Sequence, residues 1–136
     1  MSKSTPAEDA LARWLFHKTV PAFNANTHFY VSLHREDPGE AGAQNTNEVA
    51  YGGYARVAVV RTSSGFTIAD TLVSNASEIL FPTCTSGAVT ATHAAIGTAA
   101  TGTGLVLHYG PLSSSLPISA GQTPRFGIGS LTINDQ

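Results

Sequence analysis

Hydrophobic positions recur at spacings of three and four in one part of the chain, "TPAEDALARWLFHK" near the N-terminus. Leu11, Trp14 and Leu15 form one apolar stripe there, closed by the aliphatic stem of Lys18, and this predicts a short amphipathic helix. Thr5 stands as its N-cap, Pro6 at the first helical position and Glu8 three residues after the cap, and Pro21 is expected to stop it. Beyond Pro21 the period changes to two. In "HFYVSLHR" Phe29, Val31 and Leu33 point one way while His28, Tyr30, Ser32 and His34 point the other, as in a strand with one buried face. The segments "YARVAVVR", "LVSNASEILF", "AVTATHAAIG", "GLVLHYG" and "RFGIGSLTI" end at turn-forming residues and also read as strands. "SSSLPIS" is a further candidate, which Pro117 confines to an edge or a bulge.

Short strands punctuated by turns predict a mainly β protein, an antiparallel β-sandwich of jelly-roll-like or immunoglobulin-like form with a short N-terminal α-helix. The length of 136 residues suits a single domain over 1–136, with an arm and helix over 1–20 and the sandwich over 28–133. A chain of this length buries about two-thirds of its unfolded surface and needs no covalent or metal staple. Its one cysteine, Cys84, excludes an internal disulfide and a Cys-based zinc cluster.

Charge narrows the partners. The formal net charge is −2, and seven Lys and Arg are spread singly along the chain, so the basic stripe of a nucleic-acid binder is missing. Charged residues make up 12%, about half the usual share, and a weakly charged Thr/Ser-rich skin suits a chain packed in an assembly. No run approaches the roughly 20 apolar residues of a membrane span, and the N-terminus lacks the apolar core of a secretory signal. The expectation is a protein made in the cytoplasm with neither nucleic acid nor membrane as partner.

Polar chemistry is densest in "HREDPGEAGAQNTNEVAYGGYAR", His34 to Arg56, which holds Glu36, Asp37, Glu40 and Glu48. The carboxylates are adjacent or three apart rather than alternating, so they do not form a calcium loop, and Asp37-Pro38-Gly39 is a turn signature. A connection of about 15 residues is nevertheless long for a hairpin, and loops of that length tend to be functional or disordered. Tyr51 and Tyr54 flank Gly52-Gly53; they suit a protein contact, or one covers a sheet edge while the other lies in the core. Arg56 suits a bidentate clamp on a carboxylate, in the preceding loop or on a partner. The residues expected at a partner interface are Trp14, Arg35, Glu36, Asp37, Tyr51, Tyr54 and Arg56.

Catalytic chemistry finds no purchase. The five histidines form no H-x-H or HExxH pair, and His28 and His34, six residues apart on one strand face, stand about 20 Å from one another, too far for one ion. There is no nucleophile elbow, phosphate loop or dinucleotide fingerprint, and "GTAATGTG" lacks the lysine that would reach a phosphate. No catalytic residue, metal or cofactor is expected.

The order of segments, an N-terminal helix, then "HFYVSLHREDPGEAG", "EVAYGGYARVAV", "VSNASEILFPT", "VTATHAAIG", "GLVLHYGPL" and "SAGQTPRFGIGSLTI", resembles a family of small tailed-bacteriophage virion proteins. The likeness runs from about residue 8 to residue 133. It rests on Leu33-His34, Asp37-Pro38-Gly39, Gly53, Tyr54-Ala55-Arg56, Asn75, Phe81-Pro82-Thr83, His93, Gly110 and Phe126. It implies a non-enzymatic β-sandwich subunit of the particle, assembled in the host cytoplasm, homo-oligomeric within the virion and bound to the major capsid protein or other virion proteins. Small size, the absence of fibrous repeats or heptads and the low charge put a capsid cement or decoration subunit first. The alternative is a tail-associated or tail-fibre-like protein that binds a host receptor through its tip loops. A carbohydrate-binding module would need exposed aromatic platforms, and the one tryptophan sits on the helix.

Overall fold

Antiparallel pairing organises the computed structural model, which describes residues 1–134. Strand β1 (Ser2–Lys3) precedes helix α1 (Thr5–His17) and a 3-10 turn (Ala22–Ala25). The strands β2 (His28–His34), β3 (Val57–Val60), β4 (Phe66–Ala69), β5 (Leu72–Asn75) and β6 (Ile79–Leu80) follow. The chain closes with β7 (Ala88–Gly97), β8 (Val106–Ser119), β9 (Arg125–Phe126) and β10 (Thr132–Asn134). They form a five-stranded sheet of order β1-β8-β7-β2-β3, a three-stranded sheet β10-β5-β4 and the pair β6-β9. The fold is thus mainly β and antiparallel with one N-terminal helix. A single apolar cluster takes Val31 and Leu33 from β2, Ala94 and Ile96 from β7, Ile79 from β6 and Ile133 from β10, so all three sheets share it.

The helix starts one residue earlier than the sequence suggests. Ser4, not Thr5, is the N-cap: its hydroxyl oxygen accepts from the Ala7 N–H at 3.2 Å and its proton goes to the Val106 carbonyl. One buried serine thereby caps the helix and ties it to β8, which explains why it outcompetes Thr5. At the other end Lys18 adopts a left-handed conformation (φ 56°) and closes the helix before Pro21 is reached.

Strand β8 absorbs "SSSLPIS" into one run with "VLHYG". Pro111 and Pro117 both lie beyond Tyr109, the last β8 residue paired with β1, so neither ring displaces a ladder bond on that side. Between the pairs Ala91–Leu116 and His93–Pro111, β7 advances two residues and β8 five, and the excess bulges out.

The expected one-sided burial of β2 does not hold. Val31, Ser32, Leu33 and His34 are all buried, because residues after His34 fold back over the polar face. Arg35 N–H donates to the Asn47 carbonyl and Val49 N–H to the Leu33 carbonyl, so the end of the long loop runs beside β2 where β3 no longer does. Gln44, also fully buried, lies against Gly97 and Gly104.

Candidate partner interface

Two long connections, residues 35–56 and 98–105, meet at a buried charge pair that lies within the first of them. Arg56 Nε donates to Glu48 Oε2 and Nη2 to Oε1, each at 2.8 Å, with the two side chains only 4% and 11% exposed. The same guanidinium donates to the Ala99 carbonyl at 2.9 Å and to the Gly102 carbonyl at 2.6 Å. A planar fork with five N–H donors can grip a carboxylate and two carbonyls at once, which a lysine cannot do. Tyr54 completes the cluster: its hydroxyl donates to Glu48 Oε2 at 2.7 Å and accepts from Leu33 N–H at 3.2 Å. Burial, reinforced by the Glu48 bond, pushes this phenol above its ordinary range. Gln44 adds a second tie, its Oε1 accepting from Ala99 N–H at 2.9 Å and its backbone N–H donating to the Thr103 carbonyl at 2.6 Å.

His34 sits under this loop. Its Nδ1 is 2.8 Å from the Thr46 carbonyl, which can only accept, so Nδ1 carries the proton and Nε2 accepts from the Ser32 hydroxyl at 2.8 Å. No carboxylate orients the ring and Ser32 is sealed from solvent, so the pair does not form a nucleophile and base. Burial holds the imidazole below its ordinary value near 6.5, aided by Arg56 and His93 and opposed by the Thr46 carbonyl and Glu48. The unfolded chain therefore binds this proton more readily than the folded one. The stability contributed by neutral His34 is present in full above 6.5 and is lost as the pH falls through the folded value. We expect the melting temperature of the protein to drop between about pH 7 and pH 5, and the drop to shrink in His34→Gln relative to the parent, as read by thermal melts. Equal pH slopes for the two proteins would remove His34 from the account.

The seven residues expected at an interface separate into three exposed loop residues, three that face inward, and Trp14 on the helix. Arg35, Glu36 and Asp37 are exposed, and Asp37 Oδ1 accepts from Gly39 N–H at 2.8 Å in the anticipated turn. Tyr51, Tyr54 and Arg56 instead face inward, and their polar atoms are used within the chain. Tyr51 is buried and donates to the Pro82 carbonyl at 2.6 Å, while Tyr54 stacks on the core residue Phe81. Trp14 is 46% exposed, so the burial that would make its loss cost about 3–5 kcal/mol is absent.

An apolar surface of a kind that the periodicity did not announce lies along the helix. From Ala12 to Val20 every residue is exposed, including Leu15, Phe16 and Val20, while Ala7 is the buried helix residue. Between α1, the 3-10 turn and the three-stranded sheet runs a groove of about 660 Å³, with Leu11, Trp14, Phe23, Phe29, Phe66 and Ile68 among its walls. Arg61 shapes one rim, donating to the carbonyls of Phe23, Asn24 and Asn26 with its guanidinium 4.2 Å above the Phe29 ring. Phe16 falls off the Leu11/Trp14/Leu15 stripe, and its apolar character at a position the helix does not bury was the available clue. Among the described residues no group of three or more His, Cys, Asp or Glu side chains converges as a metal site.

The polar groups of this cluster are consumed in holding loops, and large apolar side chains stand in solvent, the pattern of a binding surface. The chain belongs to the family described as Podophage GP4 fiber I protein gp80, whose model matches residues 2–134. No curated protein matches the chain. It is a phage fibre protein, a non-enzymatic, tail-associated component of the virion with other virion proteins as partners. This corrects the first expectation of capsid cement and favours the alternative. Small size, low charge and missing heptads describe any compact subunit of a particle, and a fibre can be assembled from such subunits without a coiled coil.

Proposed function

We propose that this chain is a globular building block of the tail fibre whose pinned loop pair, residues 35–56 and 98–105, contacts the host surface. The observation that carries the reading is the Arg56 clamp. It fixes two long polar loops to one another and leaves Arg35, Glu36 and Asp37 in solvent, so a partner meets a surface already ordered. Preorganised loops bind more tightly because little ordering entropy is lost on contact.

The purified chain should compete with the phage for adsorption to host cells. In the charge-swapped variant Arg35→Glu/Glu36→Lys the melting temperature should be unchanged, since both side chains are exposed, while competition is lost. Competition as strong as the parent's, or none by the parent, would return the loop pair to a purely structural role.

A further inference from the structure

His34 lies beneath a single thickness of chain. Its side chain is fully buried, yet the carbonyl that holds its Nδ1–H at 2.8 Å belongs to Thr46, which is exposed, as is the neighbouring Asn45. Residues 45–47 thus form the cover between the imidazole and water. The ends of this cover are fixed, Gln44 to the Ala99 N–H and the Thr103 carbonyl and Glu48 to Arg56. Its middle is held lightly. Besides the imidazole bond, Asn47 accepts from Arg35 N–H at 2.8 Å and donates through Nδ2 to the Asp37 carbonyl at 3.1 Å, while the Thr46 N–H reaches the Ala43 carbonyl only at 3.4 Å. Asn47 therefore ties the cover to the exposed turn Arg35–Asp37.

We infer that residues 45–47 are an acid-opened lid: when His34 takes up a second proton they lift between Gln44 and Glu48 and release the Arg35–Asp37 turn that Asn47 holds. The closed site is built for the neutral ring. Protonation makes Nε2 a donor, so the Ser32 hydroxyl must turn its own proton toward the Ala95 carbonyl, 3.5 Å away. The charged and titratable groups facing the ring are Glu48 and Arg56 from the loop and His93, its cross-strand neighbour on β7. Glu48 and the Thr46 carbonyl favour the new charge, but Glu48 is already shared with Arg56, and Arg56 and His93 oppose it. Only water completes the solvation of the cation, and the shortest way to water is through the lid. Burial holds the closed ring below 6.5, so an opened state takes the proton first. Its population grows by up to about tenfold per pH unit below 6.5 until the closed form also protonates. The consequence for host contact rests on the loop reading above, whereas the opening itself does not.

Amide hydrogen exchange of the full chain at pH 7, 6 and 5, corrected for the intrinsic pH dependence of exchange, tests this. In the parent the Arg35 N–H, which the Asn47 carbonyl covers, should lose protection several-fold between pH 7 and pH 5. In His34→Gln it should hold, and the amides of Ala94 to Ile96, in the middle of β7 between two strands, should hold in both proteins. An Arg35 amide that keeps its protection down to pH 5 overturns the inference. So does an equal loss in His34→Gln, or a loss shared by β7, which marks global unfolding rather than a lid. If His34→Gln does not fold, the parent decides: the Arg35 amide must open while β7 stays closed, in step with the His34 ring titration followed by nuclear magnetic resonance. No host cells enter this experiment, so it and the adsorption assay fail separately.

Discussion

Replacing Arg56 with alanine is expected to cost about 3–5 kcal/mol of folding stability, a fall in melting temperature on the order of 10 °C for a chain of this size. The size follows from what is left behind. Glu48 would remain an almost buried carboxylate with Tyr54 as its neutral donor, and the carbonyls of Ala99 and Gly102 would lose their N–H partners together. An exposed ion pair would be worth at most about 1 kcal/mol, so the magnitude separates a buried clamp from a decorative one. The double variant Arg56→Met/Glu48→Gln should lose less than Arg56→Ala, since no unpaired charge then stays inside. Urea denaturation of the three proteins measures this. A loss under about 1 kcal/mol for Arg56→Ala would mean that water, not the guanidinium, satisfies this cluster.

Gly97→Ala is expected to cost about 1–3 kcal/mol although it adds one methyl group in a strand, where alanine is ordinarily the better residue. A Cβ at this position would stand 2.1 Å from Gln44 Cδ and 2.2 Å from its Nε2. Gln44 is fully buried, so it can move only by surrendering its bond to Ala99 N–H and loosening the 98–105 loop. The reciprocal change tests the cause. Gln44→Ala alone should also destabilise, by leaving a void and an orphaned Ala99 N–H, yet in its presence Gly97→Ala should cost far less, giving a coupling energy of roughly 1–2 kcal/mol in a double-mutant cycle. Additive losses would show that the methyl is resisted by the backbone rather than by Gln44.

Much of the fold was legible in the chain because its signals are local. Period two marked β2, β7 and the first half of β8, and the Asp37-Pro38-Gly39 turn and the bidentate Arg56 follow from residue type alone. Edge placement of Pro117 also followed, since a residue without an N–H is tolerated where no outer neighbour needs one. Strand β4, Phe66–Ala69, went unseen: four residues closed against β5 by a two-residue connection, with Asp70 left-handed, offer too short a run for alternation to register. The candidate site was legible only in part. Tyr51, Tyr54 and Arg56 were singled out by their chemistry, but whether an amphipathic ring or a guanidinium faces a partner or its own core depends on what packs against it, and here Phe81, Pro82, Glu48 and the 98–105 loop do.

By itself, then, the sequence determined a mainly β antiparallel chain with one N-terminal helix and a long acidic loop, because backbone periodicity and turn chemistry act between residues close in the chain. Tertiary structure decided the rest. It buried Ser32 and His34 on the polar face of β2, turned Arg56 inward onto Glu48, and left Leu15 and Phe16 in water beside an open groove. Burial is a property of surfaces brought together from distant parts of the chain, and no local pattern says which apolar stripe finds a cover within the chain and which one is left for another molecule.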